Sequence, residues 1–217
     1  MIVTFASFKG SVGKSTSAIH LAALLQESAP TVLVDHDDEN HSVSKWYDRG
    51  NGHGLSFGVI DKFQFGREAA KYKHIVIDTK AAPDRDDLEN MAKGSDLVIV
   101  PCTPEIMALD TMVAAAQELT KFEAVAYRIL LTRVPPAPQK DAMYAREMLQ
   151  QLNLPVFNAQ IREAKAFKRA AERGCTVDQI HDFDNYSVAW GDYEKLAAEV
   201  DQIVASRAGQ EQVVNNA

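Results

Sequence analysis

The chain has 217 residues, of which 46% are hydrophobic, 24% charged and 8% aromatic, an ordinary globular composition that excludes disorder for its body. With 23 basic against 30 acidic residues, the net charge of −7 argues at face value against a general nucleic-acid or membrane-surface binder. Two cysteines, Cys102 and Cys175, are too few for a disulfide framework, a zinc ribbon or an iron–sulfur site, and fit a reducing compartment.

The first residues lack a basic n-region, so no signal peptide and a cytoplasmic protein are expected. A buried strand is predicted at 2–6, then a glycine-bearing loop and a helix over 14–27. A second strand at 31–34 ends in a cluster of acids, and the glycine-rich 50–58 reads as a surface connection. A helix near 65–71 is followed by a strand at 74–77, a helix at 88–92, a strand at 97–100 and a helix at 109–122. A fifth strand falls at 128–131, a rigid proline loop at 135–138, and helices at 142–152, 165–173 and 192–207. The tail after 208 is polar and expected to fray. Continuous Val/Ile/Leu strands separated by helices predict an α/β fold: a doubly wound, mostly parallel sheet with helices on both faces, in one domain over 1–217.

Phe8-Lys9-Gly10-Ser11-Val12-Gly13-Lys14-Ser15-Thr16 lies between the first strand and the first helix, the context that a phosphate-binding loop requires. Successive amides and a helix N-terminus cradle an anion there. Lys14 would reach the β- and γ-phosphates of a nucleotide, and the Ser15 hydroxyl would bind Mg²⁺. The plain G-x-x-x-x-G-K-[ST] pattern is not met, because Phe8 stands at its first glycine and a lysine, Lys9, follows. The loop resembles the deviant Walker A motif, K-G-G-x-G-K-[ST], of the ParA/MinD family of ATPases, a P-loop NTPase type. The resemblance implies ATP as ligand, contacts from residues 9–16 (Lys9, Gly10, Ser11, Val12, Gly13, Lys14, Ser15, Thr16), and a Lys9 that crosses to the phosphates of a partner subunit in an ATP-sandwich dimer. Ser11 occupies a position usually held by glycine, and fits without penalty if φ stays negative.

The second strand runs into Asp35-His36-Asp37-Asp38-Glu39, similar to the family's D-x-D-P-Q. By resemblance Asp37 positions the attacking water, and Asp35 supports the outer shell of the metal or the loop; a solvated acidic turn is the alternative. The strand ending His74-Ile75-Val76-Ile77-Asp78-Thr79 has a Walker B pattern, with Asp78 expected on Mg²⁺ through water. Lys80 stands where relatives carry proline. Pro101-Cys102-Thr103-Pro104 is similar to the family's P-x-x-P segment, in which Cys102 reads as packed and unreactive. Thr132 and Arg133 resemble the segment near adenine in relatives.

Residues 162–173 carry Arg162, Lys165, Lys168, Arg169 and Arg173 against Glu163 and Glu172, a local charge of +3 that leaves −10 elsewhere. Four of these cations recur at helical spacing. A solvated face would explain them, but relatives bind DNA without sequence preference through basic residues near here. The resemblance covers nearly the whole chain and is strongest to short partition ATPases without an N-terminal repressor domain. It implies an ATPase of weak intrinsic activity, dimeric with ATP and Mg²⁺, that binds DNA non-specifically at the nucleoid. A ParB-like or cargo adaptor would stimulate hydrolysis, and no membrane is involved. Alternatives are a MinD-like membrane-associated regulator, for which GQEQVVNNA lacks the basic and large apolar residues, and a metabolic ligase on the same scaffold.

Overall fold

The computed structural model describes residues 1–120 and 126–215, the side chains of 85, 92, 118 and 210–215 excepted. Seven strands form one sheet: β1 (Ile2–Ser7), β2 (Thr31–His36), β3 (Gly58–Asp61), β4 (His74–Ala81), β5 (Leu97–Cys102), β6 (Tyr127–Val134) and β7 (Val156–Arg162). Their order is β3-β2-β4-β1-β5-β6-β7, and every pairing is parallel. The chain winds outward from β1 to β3, returns to insert β4 beside β1, and then builds the other half. This reversal gathers the carboxyl ends of β1, β2 and β4 at one crevice, where open parallel sheets bind ligands.

Alternating strand residues feed two cores, because successive side chains leave opposite faces. On one face Val3, Phe5, Leu97 and Ile99 pack under α1 (Lys14–Ser28), α2 (Ser42–Arg49), α7 (Lys165–Arg173) and α8 (Tyr186–Asn215). On the other, Val98, Val100, Ile129 and Leu131 pack under α4 (Arg85–Gly94), α5 (Ile106–Leu119) and α6 (Asp141–Gln151). A short α3 (Phe65–Glu68) sits near the β2–β3 edge, where Phe65 packs on Val32, Val34 and Ile60. Among the described residues no helix is long and apolar enough to cross a membrane.

All five expected strands are present, within an α/β sheet covered on both faces. The structure adds three elements. Strand β3 starts at Gly58, at the end of the stretch read as surface connection, and is a four-residue edge strand with one buried side chain. Strand β7 alternates buried and exposed residues, since it is an edge strand packed mainly by α8 on one face, so no continuous apolar run announces it. Helix α2 buries only Val43 and Trp46. Helix α5 begins at Ile106, earlier than expected, and residues 121 and 122 of the anticipated helix lie outside the described residues. The last helix continues to Asn215, across most of the segment expected to fray.

Candidate nucleotide site

The phosphate loop links β1 to α1 at the centre of the sheet. Gly13 precedes the helix with φ of 81°, a conformation that favours glycine, and its carbonyl accepts the Ser17 amide at 2.9 Å. The sequence expectation for Ser11 is corrected here. Its φ is +63°, so a residue with a Cβ occupies a left-handed position that costs about 1 kcal/mol. The loop is braced from β6 instead. Thr132 is buried and donates its hydroxyl to the Val12 carbonyl at 2.7 Å. Arg133, itself at φ of 50°, donates to the Ser11 carbonyl at 3.2 Å and pairs with Glu163 at 3.3 Å.

Below the loop, register sets the acids. Asp35 on β2 pairs with Asp78 on β4, and Phe5 of β1 stands on the other side of Asp78. Asp78 is fully buried. Its Oδ1 holds the Lys14 ammonium at 2.7 Å, and Lys14 also donates to the Thr79 carbonyl. Burial pushes the Asp78 carboxyl up, while Lys14 and the Ser15 hydroxyl pull it down. Its Oδ2 has no hydrogen-bond partner, an orphaned buried acceptor that a magnesium-bound water or a metal would satisfy. Among the described residues no three His, Cys, Asp or Glu side chains converge on a metal position. That donor set suits Mg²⁺, which takes one or two protein oxygens and completes its shell with phosphates and water. Ser15 and Asp78 fit this role.

Asp35 has other partners. Its Oδ2 accepts the Ser44 amide at 2.9 Å and the Ser44 hydroxyl at 2.7 Å, and its Oδ1 accepts the Asp37 amide at 3.3 Å. It thereby satisfies the first turn of α2, whose own N-cap residue, His41, contributes no side-chain bond. Asp37 is likewise buried, which alone would raise its carboxyl. The Asn40 amide at 3.0 Å, the Asn40 side chain and the Glu39 amide at 3.1 Å overcome that and hold it below the usual range, with help from the Lys14 charge. Asn40 was not singled out in the sequence, although an Asx turn three residues after an aspartate is a recognisable local signal. Asp38 pairs with Lys62, and Lys80 binds Asp87 at 2.7 Å at the start of α4.

These groups open into a cleft of about 740 Å³ that holds the loop, Asp37, Thr132 and Arg133 and extends between α2 and α7. Six cations line it, Lys14, Lys45, Arg49, Arg133, Arg162 and Lys168, against the acids Asp37 and Glu163. A chain of net charge −7 thus concentrates positive charge where a polyanion would sit. Lys9 lies at the loop's start on the surface, 3.7 Å from Glu105. Cys102 is buried and its thiol is pushed up to about 12 by that burial, which leaves no thiolate near neutral pH.

Behind the loop, His20 of α1 is fully buried. Its Nδ1–H donates to the Thr16 carbonyl at 2.7 Å, and its Nε2 accepts the Val177 amide at 3.0 Å. That pairing needs the neutral ring, and burial lowers its pKa to about 4. The imidazole stacks on Tyr193 at 4.7 Å, and Ser17 bonds the Tyr193 hydroxyl at 3.1 Å. The helix that carries the loop is therefore fastened to α7 and α8.

The expected DNA residues do not form one free stripe. Arg162 makes two bonds to Asp192, at 2.6 and 2.7 Å, and Arg173 two to Asp182, at 2.7 and 2.6 Å. Arg169 pairs with Glu172 at 2.8 Å. Lys165 and Lys168 are exposed and, among the described residues, make no ion pair. Asp182 and Asp192 lie beyond the segment whose charge was counted, so the local excess of +3 falls once they are included.

A family model described as the CobQ/CobB/MinD/ParA nucleotide binding domain matches residues 3–177. The maintenance of carboxysome distribution protein A of Gloeobacter kilaueensis is 32% identical over 206 residues, covering 93% of this chain and 94% of that protein. Among solved structures, a plasmid partition protein of Borrelia burgdorferi B31 bound to AMPPNP superposes with a TM-score of 0.67 at 22% identity, over 95% of this chain and 98% of that one. The septum site-determining protein MinD of Pyrococcus horikoshii, complexed with Mg-ADP, superposes at 0.67 with 19% identity, over 93% and 96%.

Proposed function

The chain belongs to the CobQ/CobB/MinD/ParA nucleotide-binding family, whose ParA/MinD members are ATPases, and on that premise we propose that it is an Mg²⁺-dependent ATPase that positions a cargo. ATP would join two subunits face to face, each Lys9 reaching the other's phosphates. The dimer would bind DNA without sequence preference, so that the protein localises to the nucleoid, and an adaptor protein would stimulate hydrolysis and release it. Kinship with a carboxysome distribution protein favours a protein body as the cargo, with a plasmid or chromosome as the alternative.

The mechanism rests on positioning and electrostatics. Loop amides and Lys14 receive the phosphates. Mg²⁺, when bound by Ser15 and Asp78, would offset phosphate charge. Asp37 orients the in-line water through a carboxylate that its own hydrogen bonds keep charged. Such a carboxylate is a weak base, which suits phosphoryl transfer, where little proton abstraction is needed early. Lys9 adds charge stabilisation from the partner.

The observation that carries this reading is the convergence of Lys14 on buried Asp78 with Asp37 in the same cleft. Asp37→Ala should keep ATP affinity within a few-fold and lower turnover by about 10²-fold or more. Equilibrium ATP binding and phosphate release measure the two separately, and undiminished turnover would remove Asp37 from its role.

A further inference from the structure

Strand β6 ends irregularly beside the phosphate loop. Its pairing with β7 moves from Leu131 opposite Gln160 to Val134 opposite Arg162, so β6 holds one residue more than its neighbour over that step, a bulge at Thr132 and Arg133. Arg133 takes a φ of 50° there. Successive residues of a regular strand face opposite sides of the sheet, yet these two reach the same loop. Thr132 donates to the Val12 carbonyl at 2.7 Å, and Arg133 donates to the carbonyl before it, that of Ser11, at 3.2 Å.

The arginine is held in turn. A second nitrogen of its guanidinium donates to Glu163 at 3.3 Å, and the Glu163 amide donates to the Val134 carbonyl at 2.8 Å, which ties that residue to the end of β6. What Arg133 grips is the strained residue of the loop, Ser11 at φ of 63°, in a region that an L side chain enters at a cost and glycine does not. A planar trans peptide points its C=O and the following N–H in opposite directions. Drawing the Ser11 and Val12 carbonyls toward β6 therefore turns the Val12 and Gly13 amides away from those two side chains. Among the described residues neither amide makes a hydrogen bond, and successive unpaired amides are what a phosphate binds.

We infer that Arg133 is a positioning residue for phosphate binding: it holds Ser11 in the left-handed conformation that presets the loop amides, and Glu163 holds Arg133. This rests on the nucleotide reading of the site and gives the arginine a task on the loop in place of one at the base. Without the guanidinium, Ser11 relaxes toward negative φ and the fraction of molecules with a competent loop falls, which weakens every phosphate ligand by the same factor. A glycine at 11 takes either sign of φ about equally, so in that background the arginine has little left to hold. The bulge, the guanidinium and the serine therefore form one device, and its parts are not independent.

The test is the affinity of the full chain for ATP and for inorganic tripolyphosphate, each with Mg²⁺, read by displacement of a fluorescent ATP analogue. Arg133→Ala should weaken both ligands equally, by about five- to tenfold. In a Ser11→Gly background the same change should weaken them by no more than about twofold, and that recovery also shows that losing the arginine does not unfold the chain. Glu163→Ala should weaken both by about two- to fivefold, although it removes a negative charge from the cleft and by charge alone would tighten them. Three results overturn the inference and leave the nucleotide reading intact: a loss confined to ATP, which marks a base contact; an equal loss with serine and with glycine at 11; or tighter binding in Glu163→Ala. Wild-type chain that binds neither ATP nor tripolyphosphate overturns the nucleotide reading and the inference with it.

Discussion

His20 illustrates how a single side chain couples the phosphate loop to the far side of the cleft. Both of its ring nitrogens are engaged, one as donor to Thr16 and one as acceptor from Val177, so protonation would remove the acceptor in a fully buried site. With a folded pKa near 4 against 6.5, the unfolded chain takes up a proton in that window and the folded chain does not. Stability is therefore complete above about pH 6.5 and declines as pH falls toward 4, by at most about 1.4 kcal/mol per pH unit. The nearby Asp178 charge moderates the shift without reversing it. Asp78, raised by burial, has the opposite sign and gains stability on acidification, while Asp37, lowered by its donors, loses it only below its unfolded range. Urea midpoints at pH 7, 6 and 5 should fall in wild type and fall less steeply in His20→Gln; parallel slopes would show that His20 is not the responsive group. The rest of the residue scale divides by distance along the chain. Lys14, Ser15, Asp37 and Asp78 were legible because each sits beside its own motif. The partners of Arg162 and Arg173 were not, since Asp192 and Asp182 are 30 and 9 residues further on and only the packing of α8 and its preceding loop brings them in. The left-handed Ser11 was equally hidden, because φ depends on how Arg133 and Thr132 brace the loop.

Among the elements, the junction between α2 and α7 is the most demanding. Gly174 ends α7 with φ of +68°, and a Cβ there would lie 2.0 Å from the Gly50 nitrogen and 2.5 Å from the Trp46 carbonyl oxygen. The two helices meet backbone to backbone, and the Trp46 indole closes the contact on the Cys175 carbonyl at 3.1 Å. Because α2 follows Asp37 and Asn40 directly, this junction fixes one wall of the cleft. Gly174→Ala should cost about 3 kcal/mol or more, from strained φ plus forced separation of two backbones. Gly66→Ala in α3, where a Cβ meets nothing within 4 Å, should be neutral or stabilise by about 0.5–1 kcal/mol. Chemical denaturation of the two variants decides this, and equal stabilities would contradict the close approach. Helix α2 escaped sequence reading because Ser42–Arg49 has only two buried side chains, too few for a periodic signal. Strands β3 and β7 escaped because edge strands are short or alternating, whereas the five inner strands, covered on both faces, announced themselves by composition.

At the scale of the whole molecule, the charge of −7 conceals a cleft lined by six cations and two acids, and a basic helix on which Arg169 and Arg173 are paired with carboxylates. This changes what the proposed DNA binding should look like. Arg162 and Arg173 are each held by two bonds to Asp192 and Asp182, and Arg169 by one bond to Glu172; a guanidinium in a two-bond carboxylate pair gains little by exchanging it for a phosphate, and a singly bonded one already has its charge offset. Lys165 and Lys168 remain available, two per subunit. A dimer that presents four lysines to B-form DNA should release counterions from about four phosphates, for a slope of log K against log salt near −3.6, whereas ten cations would give about −9. Binding of a random-sequence duplex in the presence of ATP, measured over a salt series, distinguishes these values. Changing Lys165 and Lys168 together to alanine should flatten the slope toward zero, while Arg173→Ala should leave it unchanged and lower stability instead. A slope near −9 would mean that the arginines abandon their carboxylates on DNA, so the monomer's ion pairs are a resting arrangement. A slope near −3.6 would mean that those pairs persist on DNA and restrict the contact to the two lysines, leaving the acidic remainder of the surface to repel DNA everywhere else.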